Sequence, residues 1–535
     1  FSSVPNMYLA YGENIVYTTN VRHKVSASHL EVINYLLGDI LPDITSLNFT
    51  LIEDTFQTVD FSTIIEDFVI SDNGQPPKPY RQRGLTPRIR SNVLATRPNT
   101  IRSNMFVYEN RNFCASKEAW NPNDSGAVDR IFEHWKMTYI DEGQYNNVCN
   151  SPISVNSIAL ADWVRSRTSM AMKSMETALQ IPDLPSEKMD SFKLMVKGDL
   201  KPKMDDTCLS DLPSGQNIVY HDRKVCACFS SCFVELTKRL KAILTKRAKL
   251  YVGVNLDEFA LDIANTLDRD IATYKCAEID ISKYDKSQND FTKAFELKVY
   301  EYLGMPKDML ELWASSEFNG VAKMLGNGFS VDMGSQRRTG TANTWIGNTL
   351  INMMLLNEAA DVNEYALCCF AGDDSLLLYD KLPNVDLSRY SVAFGFDAKY
   401  YEYATPYFCS KFLVSHNGRL SYVPDPLKIF IKFGVEGACS KALMREKWVS
   451  FNDMTQAYDS EEVCSRLAML CEEKYGPSPW WYSAIATIHC IRANPLQFER
   501  CWKVVSTPSI DEAKKRSKVY SEGGLAGCTD DQPIF

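Results

Sequence analysis

The sequence has no apolar run near the ~18 residues that a membrane-spanning helix needs, so an integral membrane protein is not expected. It has no Gly-x4-Gly-Lys-Ser/Thr loop, which sets aside a P-loop cradle for phosphates. Internal repeats and low-complexity tracts are missing, and the composition excludes disorder for the bulk of the chain. Its 16 cysteines are dilute among 535 residues and irregularly spaced, against a small disulfide scaffold; unpaired thiols fit a reducing compartment, most simply cytosol. An excess of basic charge is missing too: 58 Lys and Arg stand against 67 Asp and Glu, for a net −9. That total argues weakly against a nucleic-acid partner, but local charge decides the question. The chain starts at Phe1 with no basic-then-apolar leader, so a cut-out or processed segment is expected rather than a secretory precursor.

Present instead are 45% hydrophobic and 11% aromatic residues, enough for a substantial core in roughly two to four packed units. Charge is segregated near the start. Asp39–Asp72 carries eight acids and no Lys or Arg, whereas Asn73–Tyr108 carries seven basic residues and no acid, with five prolines between Pro76 and Pro98. The Gln75–Arg102 stretch reads equally as an extended basic strap along phosphates or acidic protein and as a solvated linker. Helical periodicity marks Cys232–Leu244, Glu461–Lys474 and Tyr482–Arg492. Ser506–Phe535 reads as a polar tail.

The chemistry concentrates between Lys197 and Lys411. Ala277–Ile281 is an apolar strand pattern carrying Asp280, with Asp285 five residues on. Tyr365–Phe370 and Ser375–Tyr379 are two further strands, joined by Gly372-Asp373-Asp374 in a hairpin signature. Turns favour Asp and Gly for backbone reasons alone. Strands this apolar are buried, however, and two like charges at a buried tip are costly unless a cation sits there. Between the acidic elements, Ser335–Thr341 is a polar loop containing Gly340, followed by a helix from about Ala342 to Leu356. Thr344 and Asn348 lie one turn apart on one face, suited either to solvent or to reading a hydroxyl. Lys197, Lys201 and Lys203, followed by Arg223, form a cationic cluster able to hold a triphosphate or template backbone, or to be a solvated loop. His221, Cys226, Cys228 and Cys232 cluster as well, but Cys-x-Cys is a poor spacing for one zinc ion, and small thiols pack well in the adjoining amphipathic helix.

Three stretches taken together carry a resemblance: Asp280-Ile-Ser-Lys-Tyr-Asp-Lys-Ser-Gln288, Arg338-Thr-Gly340 with Thr344 and Asn348, and Gly372-Asp-Asp-Ser375. In order, spacing and wording they resemble consecutive motifs of viral RNA-dependent RNA polymerases of the alphavirus-like supergroup, on the branch of tobamoviruses, closteroviruses and related plant and insect viruses. The likeness runs from about Lys193 to Gly434 and includes Tyr407-Phe-Cys-Ser-Lys411. It implies an α+β right hand with an antiparallel palm and a mostly helical thumb. The expected layout is an N-terminal extension with acidic then basic linker (1–105), fingers (106–273, with an insertion at 304–332), palm (274–303 and 333–418), and thumb with tail (419–535). The resemblance further implies that Asp280 and Asp373 hold two magnesium ions, for which manganese can substitute, with Asp374 assisting. Asp285, Asn348 and Thr344 would read the ribose 2′-hydroxyl beside Gly340. Lys197, Lys201, Lys203 and Arg223 would meet the triphosphate, and Lys399 would protonate the leaving pyrophosphate. Thr339 departs from the Ser common before the motif glycine.

The implied partners are an RNA template and product, ribonucleoside triphosphates, capping and helicase segments elsewhere in the replicase, and host factors. No direct membrane anchor is expected in this chain, so placement at cytoplasmic, membrane-associated replication complexes would come through partners. Two rival readings are a reverse transcriptase and a catalytically silent replicase scaffold. Trp480 and Trp481 read as buried core or as stacking surfaces for product RNA.

Overall fold

The computed structural model describes residues 25–41, 68–69, 85–91, 104–105, 107–108, 126–154, 157–165, 188–198, 215–324, 330–434 and 441–504. Lys201, Lys203, the C-terminal tail and most of the acidic and basic N-terminal stretches lie outside them.

The fold is mixed α+β, and a five-stranded sheet lies at its centre. Its strands are β1 (Ala248–Leu250), β2 (Lys275–Ile281), β3 (Tyr365–Ala371), β4 (Asp374–Tyr379) and β5 (Ala398–Tyr403), in the spatial order β5-β2-β4-β3-β1. Every neighbouring pair is antiparallel except β1 with β3. Strand periodicity divides the side chains between two cores. Ala277, Ile279, Cys368, Phe370 and Leu377 face one large core, while Cys276, Leu367, Cys369, Leu376 and Leu378 face a second. Burial on both faces explains why these strands read as nearly continuous apolar runs rather than as alternating ones.

Helices cover the first face. They are Ala127–Tyr139, α1 (Arg223–Ile243), α2 (Asp290–Tyr302), α3 (Lys307–Glu317) and α4 (Thr344–Ala359). Helix α1 starts well before the amphipathic stretch visible in the sequence, because the Asp222 side chain caps it by accepting from the Lys224 N–H. Asn289 caps α2 through a reciprocal box with Thr292. Helix α4 is enclosed on all sides, with thirteen of its residues buried, which is why it lacks an amphipathic stripe.

The second face is covered by the helix Leu256–Thr266 and by a three-stranded sheet of β6 (Tyr407–Phe408), β7 (Lys411–His416) and β8 (Arg419–Pro424). Strand β7 also faces a third core built from the helices 426–433, 441–454, 461–475 and 481–492. The N-terminal helix Ala27–Ile40 packs into this C-terminal core: Tyr35 meets Trp480, and the Val25 N–H donates to Gln497. Likewise Leu85–Pro87 pairs with Trp502–Val504, and the Arg88 N–H donates to the Cys501 carbonyl. The described part of the basic stretch therefore lies along protein. A separate sheet joins Ser191–Val196, Asn217–Tyr220, Gly320–Met324, Ser330–Met333 and Phe68–Val69.

Candidate active site

The two acids of Gly372-Asp373-Asp374 sit where the sequence places them, at the tip joining β3 and β4. Gly372 adopts φ +66°, a left-handed conformation that glycine takes without strain. Helix α4 clamps the backbone of this tip. The Gly372 N–H donates to Thr349 Oγ1 at 2.9 Å, and Asn352 Nδ2 lies 3.2–3.3 Å from the carbonyls of Asp373 and Gly372.

Strand pairing brings the other residues to the same edge. Leu377 pairs with Ala277 and Leu378 with Cys276; carried on toward the tip, this register sets Asp374 opposite Asp280. The Ile279 N–H donating to Ser375 Oγ at 3.0 Å continues the contact in that direction. On the other side of β2, Lys399 is the direct partner of Asp280. Directly opposed residues project from the same face, so Lys399, Asp280 and Asp374 form a row across three strands.

Charge is concentrated at this edge. Loss of water around Asp373, reinforced by the negative charges of Asp374, Asp285 and Asp280, raises its carboxyl to about 6. Cys409, at φ +48° in the turn between β6 and β7, donates its thiol to Asp374, and burial pushes that thiol far up. Among the described residues no three His, Cys, Asp or Glu side chains converge into a complete metal-binding set. An open pair of carboxylates still fits magnesium, which keeps several waters and binds one or two carboxylates together with substrate phosphates.

Asp285 stands in a single helical turn, Tyr284–Ser287, entered through Lys283 in the left-handed conformation. It is 9% exposed and accepts from Asn348 Nδ2 at 2.9 Å, so the structure brings together the two residues expected to read a ribose. Thr344 does not join that bond. Its hydroxyl lies 2.8 Å from the Arg338 carbonyl and 2.9 Å from that of Thr341, tying down the loop that precedes α4.

Gly340 is required by close approach: its N–H donates to the Val219 carbonyl, and a Cβ would lie 2.9 Å from Ile218 and 3.0 Å from Tyr220. The same loop meets the strand at Asn217, whose carbonyl accepts from Thr339 Oγ1 at 2.8 Å. Lys197 follows the neighbouring strand at this end, its N–H bonded to the Gln216 carbonyl. Arg223 lies beyond the opposite end of Asn217–Tyr220, at the start of α1, so the strand separates these two cations.

Sequence reasoning missed Thr349 and Asn352, as well as Gln288 and Arg337, which both bond Asn348. The available signal was the set of Asn and Thr residues inside an otherwise apolar, fully buried helix, each of which must find a partner. Of the four zinc candidates, Cys228 and Cys232 pack into the core and His221 Nε2 lies 3.0 Å from the Met189 carbonyl, and among the described residues they form no group of three ligands. Trp481 is fully buried, and Trp480 lies against Tyr35.

Comparison with known proteins gives the chain a family. The family described as RNA dependent RNA polymerase matches residues 58–501. The chain is 37% identical over 479 residues to replicase polyprotein 1ab of Grapevine leafroll-associated virus 3, covering 90% of this chain and 17% of that protein. It is 30% identical over 497 residues to replicase polyprotein 1ab of Beet yellows virus, covering 90% of this chain and 16% of that protein. RNA-directed RNA polymerase 2a of Cucumber mosaic virus is 32% identical over 307 residues, 56% of this chain and 35% of that protein. This chain belongs to the RNA-dependent RNA polymerase family. It spans about a sixth of the length of the first two relatives.

Proposed function

We propose that the chain is the polymerase segment of a viral replicase, extending an RNA 3′-hydroxyl with ribonucleotides chosen by an RNA template. The carrying observation is the row of Asp280 and Asp374 across β2 and β4, with Asp373 at the tip raised to about 6 by partial loss of water and its fellow carboxylates. Asp280 and Asp373 would hold two magnesium ions, with Asp374 assisting and manganese able to substitute; bound there, the metals would activate the attacking hydroxyl and offset charge on the leaving pyrophosphate. Asp285 and Asn348 take the ribose 2′-hydroxyl as acceptor and donor. Lys399, across the strand from Asp280, would hand a proton to the leaving group, a reading its position beside that acid supports. Its replacement in Lys399→Leu should slow single-turnover incorporation about 10- to 1000-fold with nucleotide binding intact.

In this reading the central sheet and α4 are the palm (274–303 and 333–418), 106–273 and 304–332 are fingers, and the helices after 419 are thumb. Lys197, Lys201 and Lys203 meet the triphosphate. Capping and helicase activities belong to other replicase segments, which with host factors would bring the chain to membrane-associated complexes in the cytoplasm. Among the described residues no helix is long and apolar enough to cross a membrane. The test is magnesium-dependent extension of a short RNA primer–template by the wild type beside Asp373→Asn. Extension abolished in the variant supports the reading, and equal extension by both overturns the assignment of the metal site.

A further inference from the structure

Asn348 carries an amide whose two ends are nearly the same size, so reading a ribose requires something that decides which end faces the nucleotide. Its Oδ1 accepts from Arg337 Nε at 2.9 Å and from Gln288 Nε2 at 2.8 Å, while its Nδ2 donates to Asp285 Oδ1 at 2.9 Å. A guanidinium can only donate and an ionised carboxylate can only accept. Rotating the amide by half a turn would set donor against donor and acceptor against acceptor, so one orientation is imposed. The remaining Nδ2 hydrogen and the free oxygen of Asp285 then offer one donor and one acceptor, the complement of a hydroxyl. A 2′-deoxyribose supplies neither and would leave both unmet.

Arg337 is itself fixed from behind. Its two terminal nitrogens fork onto the carboxylate of Glu296, with Nη1 at 2.8 Å, and its backbone N–H donates to the Asp285 carbonyl at 2.8 Å. Glu296 also accepts from the Tyr300 hydroxyl at 2.8 Å. Arg337, Glu296 and Gln288 are all at most 1% exposed. Gly347, next to Asn348, makes the close approach possible: a Cβ there would collide with Glu296 and lie 2.6 Å from both terminal nitrogens of Arg337. Apolar residues of similar volume would often serve stability as well as a buried ion pair. What they could not supply is a donor fixed against Asn348 Oδ1.

We infer that Arg337 and Gln288, with Glu296 and Gly347 behind them, are positioning residues that set the sugar selectivity of the enzyme by locking Asn348 in one amide orientation. This inference rests on the ribose-reading role of Asp285 and Asn348 proposed above. The test compares kcat/KM for a ribonucleoside triphosphate with that for its 2′-deoxy analogue on one primer–template, in wild type, Asn348→Ala, Arg337→Lys, Gln288→Met and Gly347→Ala, each checked for a cooperative melt. Arg337→Lys keeps the charge facing Glu296 but loses the Nε donor, and should cut the ribose preference about 10- to 100-fold, as expected when a buried polar group loses its partner. Gln288→Met removes one of the two donors without touching the ion pair and should cut it about 3- to 10-fold. In both, the ribonucleotide value falls while the deoxynucleotide value holds; a merely structural defect would lower both alike. If Arg337→Lys or Gly347→Ala fails to fold, Gln288→Met decides. Wild-type preference in folded Gln288→Met, with Asn348→Ala having lost it, would overturn the positioning role and leave the ribose reading standing. Wild-type preference in Asn348→Ala would overturn both.

Discussion

At the hairpin tip, Asp373 sits among Asp374, Asp285 and Asp280, and partial loss of water plus that company push its carboxyl up to about 6. Behind α4, burial alone would push Glu317 up as well, but Lys293, Arg337 and Arg338 outweigh it and hold the carboxyl down at about 2. Both regions lie in one fold, packed against the same helix. In the second, the chain supplies its own cations: Lys293 pairs with Glu317, and Arg337 with Glu296, all of them almost completely enclosed. In the first, four carboxylates gather at one edge, with Lys399 across from Asp280 and Lys411 near Asp374. Acids matched by buried partners serve architecture, whereas an excess of acids at one edge is what a divalent cation site would need.

The contrast can be broken most forcefully through activity. Asp280→Asn should lower magnesium-dependent incorporation by more than about 100-fold, since losing even an outer partner of a metal ligand typically costs 10- to 100-fold. Glu296→Ala strands a buried guanidinium and should cost about 3–5 kcal/mol in denaturant unfolding. A stability unchanged by Glu296→Ala would show that the inner acids are not structural.

At the rim of the inner cluster, burial lowers His221 to about 4, against an ordinary value of 6.5, while Glu317 opposes and Arg338 adds to the shift. Below pH 6.5 the unfolded chain binds a proton that the folded chain refuses. The stability is therefore complete above pH 6.5 and lost as pH falls toward 4, by up to about 3 kcal/mol. The melting temperature of His221→Met should be flatter than wild type across that window. The smallest effect has the opposite sign: in metal-free buffer Asp373→Asn relieves repulsion at a solvent-facing tip and should raise stability, by less than about 1 kcal/mol after screening. A loss there would mean that the tip acids support the fold.

The outer region was the legible one. Its strands are runs of apolar residues with turn chemistry between them, so β2, β3 and β4 fall within two residues of their expected bounds, and the acids stand out by contrast. Helix α4 was legible too, displaced by two or three residues. The inner region left no local trace. Lys293 and Glu296, three apart on α2, drew no reading from the sequence, yet both are 1% exposed, because their partners Glu317 and Arg337 arrive from elements remote in the chain. Periodicity reports which face of a helix is apolar. It is silent on a polar face buried against other polar groups. The early start of α1 escaped for a related reason: Cys226 and Cys228 look like ligand candidates until their packing is known.

The helix Ala27–Ile40 finds its partners at the far end of the chain, with Asp39 accepting from Ser478 and Val25 donating to Gln497, 439 and 472 residues away. On a ribosome adding ~5–20 residues per second, its apolar side emerges on the order of a minute before the C-terminal helices that complete its cover. The C-terminal bundle therefore cannot close completely until translation has passed Gln497, and a ribosome that stalls earlier leaves the apolar side of this helix partly bare.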